Sequence, residues 1–184
     1  MLRWIVDRYL ERYPDEKKKL KVLLSQLKSK ENLDDRENYK GHVTASSLIY
    51  SPDLKEILLI YHPSFECWMQ PGGHVDPEEG PWVTAHREAV EETGVKIARR
   101  LALNDQRLPI LIESHLVPSK LPKNEPGHYH HAFWYCFVAK SKGLKLEDEV
   151  IKKARWAAES EISRPVFVRA IEKSKKLPEL KALA

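Results

Sequence analysis

Apolar residues recur at helical spacing from the beginning of the chain: Leu2, Ile5, Val6, Tyr9, Leu10 and Tyr13. A stripe of that period predicts an amphipathic helix. Pro14 interrupts it, and Leu20, Leu23, Leu24 and Leu27 form a second stripe. Residues 2–30 are therefore expected to form two amphipathic helices, with the polar residues 29–40 as a linker. Their expected role is a cap on the main domain or a contact in a homodimer. From residue 42 the pattern changes. Residues 42–50 are rich in Val, Thr, Ser and Ile and predict a strand, Ser51-Pro52-Asp53 predicts a turn, and Ile57-Leu58-Leu59-Ile60 lies in a buried strand over 56–62. The two strands read as a hairpin.

Residues 84–93 read as a helix. Pro81 suits its first turn, where no backbone N–H is needed, and Gly94 falls at the position of a left-handed cap. Val83 and Val90 are expected to turn inward. Strands are expected over 95–103 and 109–117, then a long loop over 118–127 without secondary-structure signals. Loops of that length inside a domain are often functional, and Lys120 and Lys123 are candidates to meet phosphates. The aromatic run 128–139 predicts a strand, with His128 and His130 on one face and His131 on the other. Three such histidines invite a zinc reading, but no Cys or carboxylate completes a tetrahedral set. A substrate-lining role for His128 or His130 stands beside plain surface exposure. A short strand over 154–158 follows. Ser163 is the expected cap of a helix over 164–176 that buries Val166, Phe167, Ala170 and Ile171.

Length and composition narrow the class. A chain of 184 residues, 42% hydrophobic and 32% charged, fits one soluble domain with an extension. No apolar run is long enough to span a bilayer, and charges interrupt the start where a secretory segment would need an apolar core. Cys67 and Cys136 are too few for a disulfide framework, so a reducing, cytoplasmic setting is expected. The net charge of +4 is concentrated in lysine runs at 17–21 and 173–181. Neither run is interleaved with aromatic residues, so they read as solvated faces and nucleic-acid binding is not expected.

The chemistry lies between Gly73 and Val95. At about 100° per residue, Glu92 lies about 40° to one side of Glu88 on the helix and Glu91 about 60° to the other. Three carboxylates on one face repel one another unless a cation compensates. A hard divalent ion with oxygen ligands does so and typically also holds substrate phosphates. The bland alternative is a solvated acidic face with Arg87 paired to Glu91 at i,i+4.

The full pattern decides between them. Gly73, Glu79, Arg87, Glu88, Glu91, Glu92 and Gly94 fall in the spacing G-x5-E-x7-R-E-U-x-E-E-x-G-U, where U is aliphatic and Ala89 is a small representative. Fixed residues in that number match by chance roughly once in 10⁸–10⁹ starting points. The pattern resembles the signature of the Nudix hydrolases, and Trp68-Met69-Gln70-Pro71-Gly72-Gly73 resembles the W-x-x-P-G-G that often precedes it in that family. The resemblance implies an α/β/α sandwich around a mixed sheet over roughly residues 41–178. The chain then divides into an N-terminal helical extension and linker (1–40) and a hydrolase domain (41–184).

By the same resemblance, Glu88, Glu91 and Glu92 hold Mg²⁺ or Mn²⁺, with a main-chain carbonyl near Gly73. Glu91 or Glu88 serves catalysis, and a glutamate outside the signature, such as one in Glu147-Asp148-Glu149, acts as the base in some relatives. Arg87 and Glu79 pair as scaffold. The activity implied is metal-dependent hydrolysis of a phosphoanhydride in a nucleoside diphosphate linked to another moiety, a small-molecule nucleotide-type substrate. The alternatives are nucleoside triphosphate pyrophosphohydrolysis and a non-catalytic nucleotide sensor.

Overall fold

The computed structural model describes residues 1–102, 105–119, 125–146 and 150–183. Its elements in order are α1 (Leu2–Arg12), a 3-10 helix (Pro14–Leu20), α2 (Lys21–Lys28), β1 (Gly41–Tyr50), β2 (Glu56–His62), β3 (Cys67–Met69), β4 (Gly72–His74) and α3 (Pro81–Thr93). There follow β5 (Ile97–Leu101), β6 (Leu111–Val117), β7 (His128–Ala139), β8 (Ala154–Ala158), a second 3-10 helix (Glu159–Glu161), α4 (Pro165–Ser174) and α5 (Pro178–Lys181).

All eight strands join one mixed sheet. Its spine is the parallel pair β1–β7, in register from Gly41↔Tyr129 to Tyr50↔Val138. The far edge of β7 takes β6 and then β5, both antiparallel. The far edge of β1 takes β4 and, at Tyr50↔Ile57, β2. β1 is buried over its whole length, as a strand covered on both faces must be.

Alternation along the strands separates two apolar layers. Val43, Ala45, Ile49, Phe133, Tyr135 and Phe137 face α3 and the N-terminal helices. Leu48, Tyr50, Ala132, Trp134, Cys136 and Val138 face α4 and α5. The result is the expected α/β/α sandwich, with an N-terminal helical extension whose Ile5, Val6, Tyr9, Leu20 and Leu23 enter the first layer. Among the described residues no helix is long and apolar enough to cross a membrane.

Several local expectations are corrected. Residues 29–40, the expected linker, make contacts of their own. Leu33 is buried, its carbonyl accepts from the Val43 N–H at 2.8 Å, and Lys40 pairs with Glu31. Val83 and Val90 point outward, 43% and 38% exposed, because α3 packs through its small residues. Ala85 and Ala89 let the helix approach β1 so closely that Ser47 Oγ donates to the Ala85 carbonyl at 2.6 Å. Ser163 does not cap α4. Arg164 stands at the cap position, with Pro165 starting the helix, and no side chain caps it. Lys173 is buried, where a solvated lysine run was expected. The short strands β3 and β4, at three residues each, carry no periodicity from which to predict them.

Candidate active site

Gly94 has φ 63°, the left-handed cap expected of it, and fixes where α3 stops. α3 is thereby held against β4. Gly72 adopts φ 153°, and a Cβ there would lie 2.2 Å from the Ala45 carbonyl oxygen. At Gly73 a Cβ would lie 2.4–2.7 Å from the carboxyl atoms of Glu88. The absence of side chains at these two positions is what lets the carboxylates of α3 lie against the backbone of β4. Glu92, buried, accepts from the Gly72 N–H at 2.9 Å.

Arg87 organises the other side of the helix. Its guanidinium reaches Asp76 at 3.0 Å, Glu79 at 3.1 Å, Glu88 at 2.9 Å and Glu91 at 3.0 Å. Thr84 also donates to Glu79, at 2.7 Å. Burial pushes Glu79 up, but the hydrogen bonds from Arg87 and Thr84 outweigh it and hold the carboxyl below its usual range. The hydrogen bond to Glu79 raises Arg87 further still above an already high value. Glu88 moves the other way. Burial raises it, and the nearby charges of Glu91 and Asp76 add to that against the opposing pull of Arg87. Glu91 is the open member of the set, with its side chain 54% exposed.

The structure thus sets Glu88 against Gly73 and Glu92 against the Gly72 N–H, gathers Glu79, Glu88 and Glu91 around Arg87, and leaves Glu91 at the solvent edge. The donor set is wholly oxygen and predominantly carboxylate. With one carboxyl, Glu88, raised chiefly by burial, it suits a hard divalent cation such as Mg²⁺ or Mn²⁺.

On the other side of β4 lies a cleft of about 350 Å³. Gly72 and Gly73 form part of its wall. Trp134, Phe65 and Val166 give it apolar surface, and Arg164, His115 and His130 give it polar and positive groups. His130 therefore lines the cleft, as the sequence pattern allowed. His128 lines a neighbouring cavity instead. Lys120 and Lys123 lie outside the described residues, as do Glu147, Asp148 and Glu149. Arg164, His74 and His115 were not singled out in the sequence. Each is an isolated residue in its own segment, and only the sheet register places His115 beside His130.

An α/β/α sandwich whose glutamate-bearing helix backs onto a glycine strand, with a cleft beyond it, defines a Nudix-type domain. The chain belongs to the Nudix hydrolase family: the family model of the NUDIX domain matches residues 40–178. It is 29% identical over 134 residues to a probable DHNTP pyrophosphohydrolase of Lactococcus lactis subsp. cremoris (strain MG1363), covering 73% of this chain and 76% of that protein. It is 41% identical over 63 residues to diphosphoinositol polyphosphate phosphohydrolase 2 of Rattus norvegicus, a match spanning 34% of this chain and 35% of that one. Among solved structures, a NUDIX-family hydrolase from Clostridium perfringens superposes with a TM-score of 0.54 at 23% identity, over 73% of this chain and 96% of that one. A MutT NUDIX hydrolase from Burkholderia pseudomallei gives 0.53 at 23% identity, over 72% and 97%. These two likenesses bear on the fold.

Proposed function

We propose that this Nudix hydrolase is a divalent-cation-dependent pyrophosphohydrolase acting on a nucleoside diphosphate linked to another moiety. Residues 41–184 form its catalytic domain and 1–40 an extension. The observation that carries the reading is the Glu88 carboxyl packed on Gly73, a residue that itself walls the cleft. Glu88, Glu91, Glu92 and a main-chain group near Gly73 would hold Mg²⁺ or Mn²⁺. Such an ion would supply positive charge against the diphosphate and lower the pKa of water.

The protein's own groups do the rest. Arg164 offers positive charge to the phosphates on the cleft side. Trp134 and Phe65 offer apolar surface to the moiety, and His130 and His115 offer donors. Water attacks phosphorus, one P–O bond forms, and the anhydride P–O bond breaks. Glu91, exposed and held by Arg87, takes the proton that the attacking water gives up. Phosphoryl chemistry of this kind depends chiefly on positioning and charge. Glu79 and Arg87 position the helix carboxylates and do not touch the reacting atoms.

A second reading has its own support. The relative matched over most of its length is a probable DHNTP pyrophosphohydrolase, which points to a triphosphate substrate. A panel of nucleoside diphosphate conjugates and nucleoside triphosphates, assayed with Mg²⁺ and Mn²⁺, separates the readings by product. Two monophosphate products from a conjugate support the first, and pyrophosphate released from a triphosphate supports the second. Turnover of neither class would overturn both.

A further inference from the structure

The cavity beside the cleft holds a cluster of histidines of which the hydrolytic reading uses only His130. The parallel register of β1 and β7 sets His42 directly beside His130, and His128 lies on the same face two residues earlier. The three ring centroids lie 4.8–5.0 Å apart. One ligand nitrogen from each falls within 4.8 Å of the others, and among the described residues this is the one such group of three or more His, Cys, Asp or Glu. These side chains lie on the face of the sheet turned away from α3, with the layer containing Ala132 and Trp134.

Hydrogen bonding indicates which nitrogens are available. The Pro126 carbonyl lies 2.8 Å from His128 Nδ1 and can only accept, so that nitrogen carries the proton. In the neutral ring Nε2 then bears the lone pair, and it sits 3.1 Å from His130 Nε2. A backbone carbonyl holding one ring nitrogen so that the other is free is the usual support of a metal-binding histidine. Two nitrogens at about 2.0–2.1 Å from a tetrahedral zinc lie roughly 3.3 Å apart, close to the spacing observed. His42 is 2% exposed, and neither of its ring nitrogens has a hydrogen-bond partner. A buried imidazole without a partner is costly unless a ligand completes it. The Asn38 backbone also acts on the ring.

We propose that His42, His128 and His130 form a second cation site, selective for a borderline transition metal such as Zn²⁺ and separate from the carboxylates of α3. Neutral imidazoles favour Zn²⁺, Ni²⁺ or Co²⁺ over Mg²⁺, which prefers carboxylate and water oxygens. Three histidines leave a coordination position open for water or an incoming ligand. The three histidines line a cavity of about 310 Å³ together with Arg36, Glu37 and Glu125. His130 also lines the hydrolytic cleft, so the two sites share one side chain.

The test is a titration of the chelator-stripped full chain with Co²⁺, followed by visible absorption, with Zn²⁺ as competitor. One equivalent of Co²⁺ should give the visible bands of a nitrogen-ligated, low-coordinate ion and be displaced by one equivalent of Zn²⁺. The bands should persist in Glu88→Gln and Glu92→Gln. They should disappear in His128→Asn and His130→Asn variants that still melt cooperatively. A wild-type protein that takes up Co²⁺ with only the faint spectrum of an all-oxygen site would overturn the proposal, and that result needs no variant to fold. Bands that survive both histidine substitutions, or vanish with Glu92→Gln, would also overturn it.

Discussion

At Arg87 a single guanidinium faces Asp76, Glu79, Glu88 and Glu91. Much of this was legible in the sequence. The resemblance to the Nudix signature implied the Glu79–Arg87 pair, and helical geometry put Glu88, Glu91 and Glu92 on one side. The fourth partner, Asp76, was not legible, because a loop decides its place. Replacing Arg87 with Ala leaves Glu79 partly buried and unpaired and removes the charge that offsets the helix carboxylates. The pair lies between the exposed and buried limits, so a loss of about 1–3 kcal/mol is expected. Saturating Mg²⁺ should restore part of it by neutralising the same carboxylates. Thermal melts with and without Mg²⁺ beside a rate measurement check this, and a rate loss with an unchanged melting temperature in Arg87→Ala would move the residue from scaffold to chemistry. The glutamine Gln26 carried no signal at all. It is fully buried in α2, where its Nε2 donates to the Gly41 carbonyl at 2.8 Å. Its Oε1 therefore faces His131 Nε2, 2.8 Å away, and His131 Nδ1 is left to accept from Ser114. Such a polar chain across distant segments has no local pattern to read.

Among the elements, the N-terminal helices are bound to the sandwich by more than their apolar stripe. Lys173 of α4 donates to Tyr9 at 2.6 Å and pairs with Glu16 at 2.8 Å, and Tyr9 itself donates to Glu16. The Lys173 ammonium also sits 3.5 Å from the centroid of the Tyr13 ring. Burial lowers this lysine to about 8 against the support of Glu16. Deleting residues 1–30 therefore uncovers the apolar layer around Ile112 and Phe133, takes Tyr9 and Glu16 from Lys173, and leaves His131 without its Gln26 partner. The truncated protein should lose solubility or self-associate, and its melting temperature should fall. Gel filtration and a melt decide this; a monomer as stable as the full chain would mean that these contacts contribute nothing. The helices themselves were legible from their period. Their docking site was not, because it depends on the register of strands far along the chain. The outward turn of Val83 and Val90 has a similar cause: apolarity suggested an inward face, but small residues were what close packing on β1 required.

On the scale of the whole molecule, the parallel β1–β7 pair gathers histidines from four strands at one end of the sheet. His42, His74, His115, His130 and His131 all lie below the ordinary imidazole range, chiefly through burial. In the unfolded chain they take up protons near pH 6.5. In the fold His74 and His131 do so only at about 4. Between these values the unfolded state binds more protons, so this stability is complete above about 6.5 and is lost as pH falls toward about 4. Glu88 and Asp34, whose carboxyls burial raises, work in the opposite direction, but as two groups against five. In chelator, the melting temperature should fall steadily from pH 7 to pH 5; a flat profile over that interval would contradict this picture. The central claim, that the carboxylates of α3 hold the ion used in hydrolysis, is tested most directly by Glu92→Gln, in melts with and without Mg²⁺ beside a rate measurement. Glutamine keeps the size of Glu92 and an oxygen to accept from Gly72, and it removes one charge from a crowded face. The metal-free variant should match wild type or melt slightly higher, the Mg²⁺-induced shift should shrink, and hydrolysis should fall by orders of magnitude. A variant that keeps both the wild-type rate and the wild-type Mg²⁺ shift would contradict the account.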